Sequence, residues 1–234
     1  MRESKAEKVV IAIDGPAGVG KSVVARRVAE SLGATLLDTG AIYRTLALEA
    51  ERQSVAWDEE EQLAGLARDL AIAFQLVDGE NRVFLGGEDI SSQIRTPHIS
   101  SGASRVSAFP AVRGALMEMQ RAFAARTSVV AEGRDMGTIV FPGATAKIFL
   151  TASAAVRAQR RFEQLRRGGR MESSLEEVRQ QQDARDLADS ERAVAPLRAA
   201  DDALVVDTSE MPLEGVIARV LVICRGEIVR ESDA

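Results

Sequence analysis

The eight residues Gly15-Pro16-Ala17-Gly18-Val19-Gly20-Lys21-Ser22 have the types and spacing needed to hold a chain of phosphates. Glycines let successive backbone N–H groups turn inward around an anion, and a helix that begins where the run ends adds its N-terminal dipole. Lys21 is placed to reach the β and γ phosphates, and the Ser22 hydroxyl to help hold Mg²⁺. The flanks agree, with the apolar run KVVIAID before and an amphipathic stretch after. The expected ligand is a nucleoside triphosphate with Mg²⁺. Motors, switches and small-molecule kinases all share this motif, so the fate of the phosphate has to be read elsewhere.

Two of those classes lose ground. A guanine-reading switch needs Asn-Lys-x-Asp or similar, and no Asn-Lys pair occurs in the chain. A motor ATPase shows four apolar residues and then an acidic pair. The nearest match, Val129-Val130-Ala131-Glu132, has a single acid followed by Gly133. A transferase with a separate small acceptor site moves up. Phosphoryl transfer is mostly positioning and charge neutralisation, so such a site needs several converging cations. Arg157, Arg160 and Arg161 share one helical face, and Arg185, Asp189 and Arg192 share another. Only four of the 30 basic residues are lysines, which leaves 26 arginines, so either face reads equally well as solvated helix surface. Gly133-Arg134-Asp135 is more telling, because it falls at the carboxyl end of an expected strand, where ligands of parallel sheets gather.

The elements that must position these residues alternate between apolar runs and amphipathic stretches, the pattern of a parallel sheet flanked by helices. Strands are expected at Val9–Ile13, Thr35–Leu37, Val129–Ala131, Ala146–Leu150 and Leu204–Val206, each rich in Val, Ile or Leu. Helices are expected over Ser22–Leu32 with Gly33 as C-cap, and over Glu59–Leu66 with Asp58 and Glu61 as a capping-box variant. A further helix starts at Pro110 and buries Val112, Leu116, Met119 and Phe123. Ser173–Glu176 and Ser174–Glu177 are alternative capping boxes for a helix reaching about Glu191, and Pro212 to Cys224 supplies the last. Leu70 to Ile90 breaks the rhythm and reads as an antiparallel hairpin turning around Asp78-Gly79. Gly168-Gly169, flanked by arginines, suits a mobile lid or an ordinary helix–helix turn.

With 234 residues, the chain can bury one sizeable core. Its net charge of −5 argues against a general nucleic-acid surface. Cys224 is the only cysteine, which excludes an intrachain disulfide and a cysteine metal cluster. Five apolar residues after the charged start are too few for a signal-peptide core. No run approaches the ~20 apolar residues of a membrane helix. A cytoplasmic protein, without nucleic-acid or membrane partners and monomeric, is expected.

Taken together, GPAGVGKS, LLDTGAIYR (Leu36–Arg44), AEGRDMGTIVFP (Ala131–Pro142), KIFLTAS (Lys147–Ser153) and RDLADSERAVAPL (Arg185–Leu197) resemble bacterial cytidylate kinase. The likeness runs nearly the whole length, in order, and includes an insert at about residues 68–106. It implies a three-layer α/β P-loop fold with a five-stranded parallel sheet, an inserted monophosphate-binding subdomain and a short lid at about residues 157–192. It also implies transfer of the γ-phosphate of ATP to CMP or dCMP. By motif match, ATP would lie on Gly15 to Val23 with Arg157. Cytosine would be read by Ser104, Arg113 and Asp135, the sugar by Arg185 and Asp189. Arg44, Arg134 and Arg192 would hold phosphates, and Thr39 and Tyr43 would line the acceptor pocket. Lys21, Arg134, Arg192 and Arg161 would be the catalytic cations. The chemistry is coherent: Asp135 can accept from the cytosine N4 amino group, whereas uracil would oppose it with a second acceptor.

Bland readings stand beside several of these. Tyr43 could simply pack, Ser104 and Thr39 could be helix caps, and Asp38 either holds Mg²⁺ through water or orders a strand end. His98 reads as structural. The sequence departs from the family pattern at Val23 and Thr39, and at Ala188, where a basic residue is common. A kinase for UMP or AMP, or a non-catalytic nucleotide-binding module, remain the rival readings.

Overall fold

The computed structural model describes residues 8–77, 80–167 and 174–226. In chain order these form β1 (Val10–Asp14), α1 (Lys21–Leu32), β2 (Thr35–Asp38), α2 (Thr39–Arg52), α3 (Glu60–Arg68), β3 (Ile72–Val77), β4 (Glu80–Leu85), β5 (Glu88–Asp89), α4 (Pro97–Val106) and α5 (Pro110–Arg126). There follow β6 (Val129–Gly133), β7 (Ala146–Thr151), α6 (Ala154–Arg167), α7 (Leu175–Glu191), β8 (Leu204–Asp207) and α8 (Leu213–Cys224). The five runs of branched aliphatic residues are the strands of one parallel sheet, in the order β2-β6-β1-β7-β8. All five residues of β6 are buried, as expected for a strand covered on both faces. The register sets Ile13 beside Ile148 and Leu150 beside Val206. The α/β class with a five-stranded parallel sheet is therefore as expected, and each strand begins or ends within one residue of its expected bound.

The chain divides into two compact units, one comprising residues 1–34 and 130–234, the other residues 35–129. In the first, α1 runs from the phosphate-binding loop to Gly33, whose left-handed backbone (φ 60) closes the helix through N–H bonds to Ala29 and Glu30. Ser174 and Glu177 form the capping box of α7, which decides between the two boxes read from the sequence. The Gly168-Gly169 turn lies outside the described residues.

In the second unit, β3 and β4 pair antiparallel as anticipated, and the turn at Asp78-Gly79 lies outside the described residues. Two-residue β5 adds a third strand that was not expected. The capping box at Asp58 and Glu61 does not form: Glu59 is the N-cap of α3 and makes no side-chain cap. Glu60 instead accepts from the Ala111 N–H (3.0 Å), so an acid in the first turn of α3 satisfies an orphan amide of α5. On α5, Val112 and Leu116 are buried, while Met119 and Phe123 are only half-buried.

Candidate active site

The phosphate-binding loop joins β1 to α1 through backbone that only glycine adopts easily. Gly18 has φ +77, and at Gly15 a Cβ would sit 2.2 Å from the Leu150 carbonyl oxygen. Lys21 is buried at the first turn of α1, and its ammonium donates to the carbonyls of Gly15 (2.8 Å) and Pro16 (2.7 Å). Burial, helped by the positive charge of Arg134, brings this amine down to about 7, against the opposing pull of Glu132 and Asp14. An anion placed here would restore full charge to Lys21. Ser22 and Val23 are exposed at the same helix end.

A second cluster forms where β6 ends. Arg134 donates from Nε to Asp189 (2.9 Å), and Asp189 also faces Arg192 at 3.9 Å. One carboxylate on α7 thus gathers two guanidinium groups, all three side chains being less than a fifth exposed. Arg192 is turned further by the carbonyl of Ala195, which accepts from its Nε (3.1 Å). Ala195 holds φ 54, a left-handed conformation that costs a residue with a Cβ ~1–2 kcal/mol. The chain then folds back so that the Leu197 N–H reaches the Asp189 carbonyl (2.8 Å). Arg185, one turn before Asp189, is exposed, and its charge adds to the lowering of Lys21.

Asp135, the residue after Arg134, is buried. The chain after it makes a single π-helical turn, Met136–Val140, a form that often marks functional sites. Asp14, the last residue of β1, pins that turn: its two carboxylate oxygens accept from the N–H groups of Met136 and Gly137, each at 2.8 Å. Burial raises the Asp14 carboxyl to about 6 in spite of those two amides, and the charge of Asp135 adds to the rise. Sequence reasoning passed over Asp14, although an acid closing an apolar strand beside a phosphate loop was signal enough.

The arginines of α6 are not the solvated face that spacing allowed, nor are they all free for nucleotide. Arg157 is buried, donates to the carbonyls of Ala152 (3.1 Å) and Ala17 (3.2 Å) and pairs with Asp186. Arg160 donates to the Thr208 hydroxyl (2.9 Å) and carbonyl (2.6 Å), tying α6 to the end of β8. Arg161 is half-buried and donates to Gln164 (2.7 Å).

The second unit carries its own set. Asp38 caps α2 by accepting from the Ala41 N–H (2.8 Å) and pairs with Arg44 (3.2 Å). Its role at the strand end is therefore visible, and Thr39 is the buried first residue of the helix rather than its cap. Arg113 is buried on α5, lies 5.7 Å above the Tyr43 ring and donates to the Ser107 carbonyl (3.2 Å). The Ser107 hydroxyl donates to the Ser104 carbonyl (2.9 Å). Ser104 sits inside α4, not at its cap, and Ser107 links it to Arg113, a connection no motif revealed. His98 Nε2 lies 3.2 Å from Glu51, and its ring meets Trp57 at a tilt of 43°, with centroids 4.8 Å apart.

A family model for cytidylate kinase matches residues 11–225. The chain belongs to the cytidylate kinase family. Among curated relatives, the cytidylate kinase of Pasteurella multocida (strain Pm70) is 47% identical over 92% of this chain and 94% of its own length. That of Aeromonas salmonicida (strain A449) is 50% identical over 91% of this chain and 92% of its own length. Among solved structures, an uncharacterized protein from Eubacterium ventriosum ATCC 27560 shares the fold with a TM-score of 0.51 at 11% identity, covering 94% of this chain and 99% of that one. Membership of the cytidylate kinase family makes the chain a kinase. No described helix is long and apolar enough to cross a membrane.

Proposed function

We propose that this chain transfers the γ-phosphate of ATP to CMP or dCMP, giving ADP and the cytidine diphosphate. The observation that carries the reading is the buried, charge-depressed Lys21 beside the Arg134–Asp189–Arg192 cluster, inside a chain of the cytidylate kinase family. Polyphosphate lies on Gly15 to Val23, with Lys21 as the fixed cation. Arg134 and Arg192 neutralise the transferring group and the acceptor phosphate, with Arg44 and Arg161 as further phosphate contacts. Ser104, Arg113 and Asp135 read cytosine, Thr39 and Tyr43 line the pocket, and Arg185 and Asp189 meet the sugar. No histidine base is required, because loose phosphoryl transfer needs little proton abstraction.

Mg²⁺ fits the donor set. The exposed Ser22 hydroxyl at the start of α1 is a hard oxygen ligand, and Mg²⁺ takes one or two protein oxygens, with phosphate and water completing its shell. When bound, the ion neutralises charge on the β and γ phosphates. We assign residues of about 68–106 as the inserted part of the acceptor subdomain, and about 157–192 as the lid. The protein acts in the cytoplasm as a monomer, without nucleic acid.

A coupled assay with Mg-ATP and a panel of CMP, dCMP, UMP and AMP tests the reading. CMP and dCMP should be turned over at least about 100-fold more efficiently than UMP, the size of penalty expected when a polar site meets a mismatched edge. Equal use of UMP and CMP would remove the base-reading assignment. No turnover of any would leave a nucleotide-binding module.

A further inference from the structure

The phosphate-binding loop is held from outside by two helices, and the grip falls on one residue. The Ala17 N–H donates to Asp186 Oδ1 on α7 (3.1 Å), and the Ala17 carbonyl accepts from Arg157 on α6 (3.2 Å). Asp186 Oδ2 pairs with that same guanidinium, which is anchored at its Nε by the Ala152 carbonyl (3.1 Å). Arg157 and Asp186 side chains are 9% and 15% exposed, so the pair is shielded from solvent screening. One turn earlier on α7, Gln182 leans on the next residue of the loop: its Nε2 lies 2.4 Å from where a Gly18 Cβ would be. Neither amide atom of this buried side chain has a hydrogen-bond partner among the described residues.

We infer that Asp186 is a positioning residue for the phosphate-binding loop, acting on it directly at Ala17 and indirectly through Arg157; the inference rests on the ATP-binding role proposed above for that loop. The reason lies in the geometry of the peptide unit. The Ala17 carbonyl and the Gly18 N–H belong to one planar group and point opposite ways. Holding the oxygen with Arg157 therefore fixes the direction of the Gly18 N–H. Holding the Ala17 N–H with Asp186 fixes the preceding peptide plane in the same manner. A loop of small residues has many ways to point its amides, and a phosphate site needs one of them. Asp186 selects that arrangement before nucleotide arrives, which lowers the ordering cost of binding. Asp186 acts through the loop and touches neither substrate. Arg157, expected from motif match to contact ATP, is assigned here to the frame of the loop.

The test compares Asp186→Ala, Asp186→Asn and the double variant Arg157→Ala/Asp186→Ala with the parent protein. ATP binding is measured by titration calorimetry with Mg-ATP and no acceptor, and KM is measured for ATP and for CMP. Asp186→Ala should weaken Mg-ATP binding and raise the ATP KM by about 10- to 100-fold, the range for a lost charge-assisted hydrogen bond, with the CMP KM changed less than about twofold. Asp186→Asn retains an acceptor for the Ala17 N–H and should recover part of the loss. The double variant leaves no unpaired buried arginine, so it should melt higher than Asp186→Ala while still binding ATP poorly. Parallel rises in the ATP and CMP KM that follow the melting temperature would overturn the inference, as would unchanged ATP binding in a folded variant. Because binding is read without an acceptor, a failure of the CMP assignment leaves this measurement interpretable.

Discussion

The cations of the two units are kept in different states. In the second unit the two arginines expected at the site already have companions: Arg44 has Asp38, and Arg113 has the Ser107 carbonyl and the Tyr43 ring. In the first, positive charge is crowded: Arg134 and Arg192 share one carboxylate, and Lys21 is pressed toward neutrality by burial and by Arg134. A satisfied arginine sits still and can present a fixed pattern to a base. A crowded set of cations is strained until an anion arrives, and that strain becomes affinity for phosphate.

The sharpest way to break the contrast is to remove the strained charge. Lys21→Met should lower kcat by about 10³-fold, within the range for losing a preorganised transition-state cation, as read in the coupled assay. Next, Asp189→Ala releases both arginines and should cut kcat/KM about 100-fold for CMP and dCMP alike, whereas replacing the exposed Glu191 should change it less than about twofold. Similar small losses from both would mean that this helix face has no part in the reaction. On the satisfied side, Ser107→Ala keeps the carbonyl that Arg113 uses and removes only the link to Ser104. The CMP KM should rise by about threefold, with the ATP KM unchanged, as for one neutral hydrogen bond.

The smallest effect concerns stability against pH in the absence of nucleotide. The Lys21 amine titrates at about 7 when folded and near 10.5 when unfolded. Between those values the unfolded chain keeps a proton that the folded chain has released, so this residue makes stability rise with pH across that window. Below about 7 the full cost of the buried charge is present. Denaturant midpoints taken over the window should show this slope in the parent protein and lose it in Lys21→Met. An unchanged slope would place the titration elsewhere.

Much of this was legible from residue types alone. The five strands are short runs of Val, Ile and Leu bounded by breakers, and the Gly33 and Pro110 punctuation fixed two helices. What escaped notice depended on direction rather than type. β5 is two residues long, below any periodicity, and α4 begins as Pro-His-Ile-Ser-Ser-Gly, with small polar residues that conceal a helix. Met136–Val140 carries no period that names an element, and it forms a π-turn whose first two amides donate to Asp14. At the site, spacing correctly put Arg157, Arg160 and Arg161 on one helix. It could not tell that the first two are engaged by Ala17, Asp186 and Thr208 while the third donates to Gln164 of its own helix. With 26 arginines in the chain, the partner distinguishes them and the residue type does not.

The left-handed turn at Ala195 sets a limit on how this stretch of chain can vary. Its carbonyl holds Arg192 only while the backbone keeps φ near 54, a region open to glycine, tolerated by alanine or asparagine, and hostile to valine or isoleucine. A conservative exchange of one small apolar residue for a branched one, harmless almost anywhere else in an apolar loop, would here unhook Arg192 from the carbonyl that holds it beside Asp189. Substitutional freedom at this position is governed by the shape of the main chain, and a tally of side-chain chemistry would misjudge it.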